Sequence, residues 1–205
     1  SDEAIRGGKK IPLKENVDAA LANCPDVQHC LVIARTGITT SWVPTRDVRY
    51  QEVFSTASDV CECEPMDAED PFFILYTSGS TGKPKGVVRD HGGHAVALLQ
   101  SMAETYGVSA GDVFWAASDV GWVVGHSYIV YAPLMAGCTT VLFEGKPVRT
   151  PDAGTFWRVI ESHRVNVFFT APTAFRAIRK EDPAGDLLAN YDLSSLRQVF
   201  VAGER

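Results

Sequence analysis

From residue 72 onward the chain alternates short apolar runs with longer segments whose apolar positions recur at helical spacing. The runs "FFILY" (72–76), "DVFWAAS" (112–118), "CTTVLFE" (138–144), "VNVFFTA" (165–171) and "LRQVFVAG" (196–203) have the length and side-chain content of buried strands. Between them, 94–106, 126–137, 152–164 and 172–180 read as helices. Gly137 closes the second, Asp152 stands as N-cap of the third, and Pro172 sits in the first turn of the last. Strands alternating with helices in this way form right-handed βαβ crossovers. The expected fold is α/β, a mainly parallel sheet with helices on both faces.

The first seventy residues follow a different pattern. Residues 15–23 have helical character, with Val17, Ala20 and Leu21 on one face, and "CLVIA" (30–34) is a short strand run. From Arg35 to Asp70 the chain is polar and irregular, with one short helix expected near residues 50–54. The reading is therefore a leading segment of helix, strand and connector over 1–70, then an α/β core over 71–205 that is truncated at its C-terminal end.

In parallel sheets ligands gather outside the carboxyl ends of the strands. The segments expected there are "TSGSTGKPKG", "SDVGWVVGH", "EGKPV", "TAPTA" and "AGER", so the unusual residues are predicted to share one rim. The first is the most informative. It is not the phosphate loop GxxxxGK[ST], because Thr77 stands five residues before Gly82 and Pro84 follows Lys83. Nor is it GxGxxG, because two residues separate Gly79 from Gly82. Its chemistry is still that of an anion cradle: glycines let backbone N–H groups turn inward, four hydroxyls donate, and Lys83 and Lys85 supply charge.

Composition narrows the classes. A chain of 205 residues with 45% apolar content can bury about 70% of the surface its unfolded form exposes, enough for a sizeable core. The net charge of −6 comes from scattered acidic residues, which argues against a nucleic-acid groove. Five cysteines with no CxxC pair, Cys61 and Cys63 included, read as reduced thiols and not as a zinc site; no metal site is expected within the chain. No apolar run approaches a bilayer span and residues 1–20 lack a signal-like apolar region, so a soluble protein is expected, with no membrane partner. Its place would be the cytoplasm, or the mitochondrial matrix in a eukaryote. The opening "SDEAIRGG" and the closing "VFVAGER" suggest a fragment.

"YTSGSTGKPKG" resembles the signature loop of the AMP-forming adenylating enzymes, the superfamily of acyl-CoA synthetases, luciferases and peptide-synthetase adenylation domains. "DVGWVVGHSY" (119–128), "FEGKP" (143–147), "FTAPTA" (169–174) and "RGGKKIPLK" (6–14) are similar to the short-chain branch, the acetyl- and propionyl-CoA synthetases. The resemblance implies one α/β subdomain of the large N-terminal domain. It also implies a two-step reaction: a carboxylate attacks the α-phosphate of ATP and expels pyrophosphate, then the thiol of coenzyme A opens the acyl adenylate.

Residue by residue, it implies that Thr77, Ser78, Gly79, Ser80, Thr81, Gly82 and Lys83 grip the β- and γ-phosphates, with Lys85 supporting the loop. Gly203 and Glu204 lie against the adenine, and Arg205 follows them where acetyl-CoA synthetases usually show proline. Trp122, Val123, Val124 and Ala202 wall the acyl pocket. Ala202 stands where acetate enzymes carry valine, which leaves room for about one or two more carbons and favours propionate. Val124 replaces a threonine near the coenzyme A path. Arg6, Gly7, Gly8 and Lys9 lie beside the coenzyme A nucleotide, and Ala171 near its pantetheine arm. The cofactor magnesium is expected to be held beyond Arg205, so residues 1–205 alone are expected to be inactive. Arg89 and His94 stay open between phosphate contact and facing solvent, and His126 between substrate contact and a capping or core-rim role. Two other readings remain: a non-catalytic nucleotide-binding module, and a ligase for a different carboxylic acid. Homo-oligomerisation is also an expectation.

Overall fold

The computed structural model describes residues 1–6, 9–77 and 82–203. The chain divides into two compact units, Ser1–Glu64 and Pro65–Arg205.

In the first unit β1 (Glu3–Arg6) and β2 (Lys9–Pro12) form an antiparallel pair that leads into α1 (Leu13–Leu21). β3 (Cys30–Val32) pairs in parallel with β4 (Asp47–Arg49), and α2 (Tyr50–Phe54) follows where the sequence predicts it. The first pair is unpredicted, because its strands carry almost no apolar run around "RGGKK". Charge supplies what the small apolar interior lacks. Lys14, only 2% exposed, donates to Asp18 at 2.6 Å and to Asp47 at 2.8 Å. Arg46 donates to Asp47 at 2.7 Å and also reaches Asp18. Two cations and two carboxylates thus neutralise one another in a largely buried cluster.

The second unit opens with an antiparallel hairpin, β5 (Pro71–Thr77) and β6 (Lys85–Asp90). Then come α3 (His91–Gln100), β7 (Val113–Ala116), α4 (Val123–Gly125), α5 (Ala132–Met135), β8 (Thr139–Thr140), α6 (Thr155–His163), β9 (Val167–Thr170), α7 (Pro172–Glu181) and β10 (Gln198–Val201). β7 to β10 form one parallel sheet in the order β10-β9-β7-β8. Strand alternation sends Phe114, Ala116, Val167 and Phe169 into a cluster with Leu98, Met102, Ile129 and Ala132. It sends Trp115 and Phe168 into a second cluster with Phe156, Trp157, Ile160 and Ile178. Helices therefore cover both faces of the parallel sheet, as the apolar pattern requires.

Three local departures have identifiable causes. The sequence shows no strand over 85–90, where "KGVVRD" holds only two apolar residues, yet these residues pair with β5, so "FFILY" belongs to a hairpin and not to the parallel sheet. The helix expected over 126–137 begins at Val123 and widens into a π-turn over His126–Tyr131. Pro133 has no N–H to offer the carbonyl four residues back, and the Ile129 carbonyl accepts the Thr140 hydroxyl at 2.7 Å instead. Finally, Gly154 and not Asp152 occupies the N-cap of α6; Asp152 acts just before it, its carboxylate accepting the Gly154 N–H at 2.8 Å.

Burial alone would raise the Asp47 carboxyl, but hydrogen bonds from Arg46, Lys14 and the Val43 N–H outweigh it and hold the group well below the ordinary carboxylate range. Asp18 is held down in the same sense by Lys14 and Ser41. Both groups are depressed in the folded state, so their contribution is complete above the unfolded value of about 4 and is lost as pH falls further towards the folded values. Asp47→Asn is expected to destabilise the chain at pH 7 by about 3 kcal/mol and to flatten its stability loss between about pH 4 and pH 2. Urea unfolding across that range checks both.

Candidate functional site

The site begins with hydrogen bonds between strand ends. The Ala117 N–H donates to the Phe169 carbonyl at 2.8 Å, and the Ala202 N–H donates to the Thr170 carbonyl at 3.2 Å. The buried Thr170 hydroxyl donates to the Ala117 carbonyl at 3.4 Å. These contacts hold the exits of β7, β9 and β10 side by side, so Ala117, Ala171 and Ala202 share one rim. The predicted coenzyme A residue Ala171 and pocket residue Ala202 are thereby neighbours across two adjacent strands. Gly203 continues from Ala202 with φ +102°, a conformation that a side chain at that position would strain.

From the β7 exit the chain turns through Ser118–Trp122 into α4. The Asp119 carboxylate accepts the Gly121 N–H at 2.8 Å, and the Asp119 carbonyl accepts the Trp122 N–H at 3.0 Å. Trp122 and Val123 stand exposed, Trp122 at 65%, while Val124 packs against the cluster around Phe114 and Phe169. Of the three predicted wall residues in this turn, one is anchored in the core and two face outward.

The glycine loop hangs from the β5–β6 hairpin, whose register pairs Thr77 with Lys85. That ladder fixes both stems of the loop, and Lys85 serves as its second stem. Gly82 has φ +82° with open space around it, and the Lys83 side chain is exposed. Gly86 faces Tyr76 across the ladder, where an added Cβ would come within 3.0 Å of Ile74 Cγ2 and 3.4 Å of Tyr76 Cζ. Ser78, Gly79, Ser80 and Thr81 lie outside the described residues, as do Gly7, Gly8, Glu204 and Arg205. Lys9 is exposed and pairs in register with Arg6 in the first unit.

Aromatic rings join this hairpin to the helix that follows the Trp122 turn. The Phe73 ring lies 5.4 Å from His126 and 5.2 Å, edge-on, from His94. Phe72 meets Tyr131 at 4.8 Å. His94 is buried among these rings and does not face solvent. Asp90 caps α3 by accepting the His94 N–H at 3.2 Å. Arg89 is on β6, ahead of the first turn of α3. The His126 ring Nδ1 lies 3.3 Å from the Trp122 carbonyl, against its own turn. Asp119, Gly125 and Thr170 shape the rim without having been singled out from sequence. A glycine closing "GWVVG" at the start of an apolar helix was the available signal.

Among the described residues no group of three or more His, Cys, Asp or Glu comes together to hold a metal ion. Nor is any described helix long and apolar enough to cross a membrane.

Comparison with known proteins gives a concordant picture. Residues 5–205 match the family described as AMP-binding enzyme. Acetyl-coenzyme A synthetase of Rhodobacter capsulatus is 53% identical over 204 residues, which are 100% of this chain and 31% of the relative. Acetyl-coenzyme A synthetase 2 of Pseudomonas putida is 50% identical with the same coverage. An uncharacterized protein of Pseudomonas aeruginosa is 58% identical over 177 residues, 86% of this chain and 28% of the relative. The chain thus spans less than a third of the length of these relatives.

Burial lowers the His94 pKa, and the nearby Arg89 charge adds to it while Asp90 partly offsets both. The unfolded chain therefore takes up a proton that the folded chain resists, and stability should fall as pH drops through about 6.5. His94→Phe should show a smaller drop in melting temperature between pH 7.5 and pH 5.5 than the parent chain. Equal drops in the two proteins would mean that His94 is protonated in place at no cost.

Proposed function

Because the chain belongs to the AMP-binding enzyme family, we propose that the full-length protein is an AMP-forming acid–thiol ligase that activates a short-chain carboxylate, propionate ahead of acetate, and passes the acyl group to coenzyme A. The observation that carries this reading is the meeting of the β7, β9 and β10 exits on one rim, with the Trp122 turn, Ala171 and Ala202 along it. It is supported by relatives of about 50% identity that are named acetyl-coenzyme A synthetase.

In the first step a carboxylate oxygen bonds to the α-phosphorus of ATP and the bond to the pyrophosphate oxygen breaks. Thr77, Ser78, Gly79, Ser80, Thr81, Gly82 and Lys83 hold the departing phosphates, where backbone N–H groups and one cation offset charge that grows on the leaving group. Gly203, Glu204 and Arg205 flank the adenine. In the second step the coenzyme A sulfur attacks the acyl carbon and AMP leaves. Ala171 and Val124 border the pantetheine path, and Arg6, Gly7, Gly8 and Lys9 meet the nucleotide end, where cations pair with phosphate. Magnesium would screen the triphosphate; its ligands are sought beyond Arg205. All partners in this scheme are small molecules, and the cytoplasm is the natural compartment.

Ala202 sets the substrate preference. Each additional buried CH₂ is worth about 0.8 kcal/mol, or about fourfold in kcat/KM. Pyrophosphate release and coenzyme A consumption by the full-length protein, measured with acetate, propionate and butyrate, test the proposal. The expected result is a severalfold preference for propionate over acetate, which Ala202→Val should reverse. Turnover best with a longer acid would overturn the substrate assignment, and no turnover with any acid would leave a nucleotide-binding module. Lys83→Ala should lower kcat/KM for ATP about 100-fold while leaving KM for the carboxylate nearly unchanged.

A further inference from the structure

We infer that Gly125 is a positioning residue for the acyl wall: by having no side chain it lets the start of α4 rest on the Asp119–Val120 backbone and so sets where Trp122 stands. The inference rests on the acyl-pocket reading above. An ideal Cβ on Gly125 would lie 2.0 Å from the Asp119 carbonyl oxygen, 2.6 Å from its carbonyl carbon and 2.6 Å from Val120 Cα. All three are backbone atoms, so no rotamer change can relieve the overlap. Any side chain at this position must push the turn and the helix apart.

The requirement is for space, not for backbone freedom. Gly125 has φ −64° and ψ −47°, ordinary helical values that alanine adopts at lower cost by about 1 kcal/mol. A glycine here runs against helix propensity, and the close approach is the structural feature that calls for it. The Asp119 carbonyl that Gly125 lies against is also the acceptor for the Trp122 N–H, at 3.0 Å. On the other side of Trp122, its carbonyl accepts the His126 N–H at 2.9 Å, one residue beyond Gly125. Trp122 is thus held from both ends by groups whose separation the Gly125 contact fixes. The Asp119 carboxylate adds a further restraint through the Gly121 N–H at 2.8 Å.

The position of Trp122 has its own spectroscopic signature. Trp122 is 65% exposed, whereas Trp115 is fully buried and Trp157 nearly so. In the full-length protein, the difference in acrylamide quenching between a Trp122-containing chain and its Trp122→Phe counterpart isolates this side chain. Gly125→Ala is expected to change the quenching constant of that component at least twofold. It should also raise KM for propionate about tenfold while KM for ATP stays within about twofold. Asp119→Ala should move both readouts in the same direction by less, and Asp119→Asn should restore them, because an amide oxygen can accept the same Gly121 N–H.

A folded Gly125→Ala protein with parental quenching and parental propionate KM would overturn the inference. If Gly125→Ala does not fold, the Asp119 pair decides, and parental quenching in Asp119→Ala overturns it equally. If the parent turns over no carboxylic acid, the functional reading fails by itself, while the quenching comparison still decides whether Gly125 sets the position of Trp122.

Discussion

The rim rests on β9 being paired in parallel between β7 and β10. Its residues Val167, Phe168, Phe169 and Thr170 are all buried, and their alternation divides two side-chain clusters. A slip of one residue would exchange Phe168 with its neighbours and put every side chain on the wrong face. The register is therefore enforced by packing, and with it the alignment of the strand ends. Ala117, Ala171 and Ala202 are close together because Trp115 and Phe168 must go one way and Phe114 and Phe169 the other.

The two units are stabilised by different physics. Ser1–Glu64 has few buried apolar residues and relies on a neutralised cluster of Lys14, Asp18, Arg46 and Asp47. Such a cluster is demanding, since removing one member leaves an unpaired charge out of water. Pro65–Arg205 holds aromatic layers in which Trp115, Phe156 and Phe168 pack with centroid separations of 4.8–5.3 Å. At the rim neither device operates. The turn over 118–126 is shaped by backbone hydrogen bonds, one close glycine contact and the Asp119 carboxylate, which accepts the Gly121 N–H.

The sequence reading found the strands and helices of the parallel sheet because both faces of that sheet are buried and the apolar runs are long. It located α2 within the polar connector, and it read "YTSGSTGKPKG" as an anion-binding loop. It missed β6 because "KGVVRD" contains only two apolar residues and is half of a hairpin whose partner carries most of the hydrophobicity. It extended β8 too far, since the β-branched and apolar residues of "CTTVLFE" run on through Phe143 although only Thr139–Thr140 forms the strand. It also left His94 undecided between ligand and solvent, where the fold encloses it among Phe72, Phe73 and Tyr131.

What the sequence determined by itself was the chemistry available and the class of fold: hydroxyls, glycines and lysines gathered directly after an apolar run, and an alternation of apolar segments that only a covered parallel sheet can bury. These are local properties, carried by spacing and side-chain type. The tertiary structure decided where that chemistry stands. It put the loop on a separate hairpin, brought Ala171 and Ala202 to neighbouring strand ends, and made Gly125 necessary by laying one backbone segment against another. Those outcomes depend on contacts between segments far apart in the chain, whose geometry follows from packing and leaves no periodic trace in the sequence.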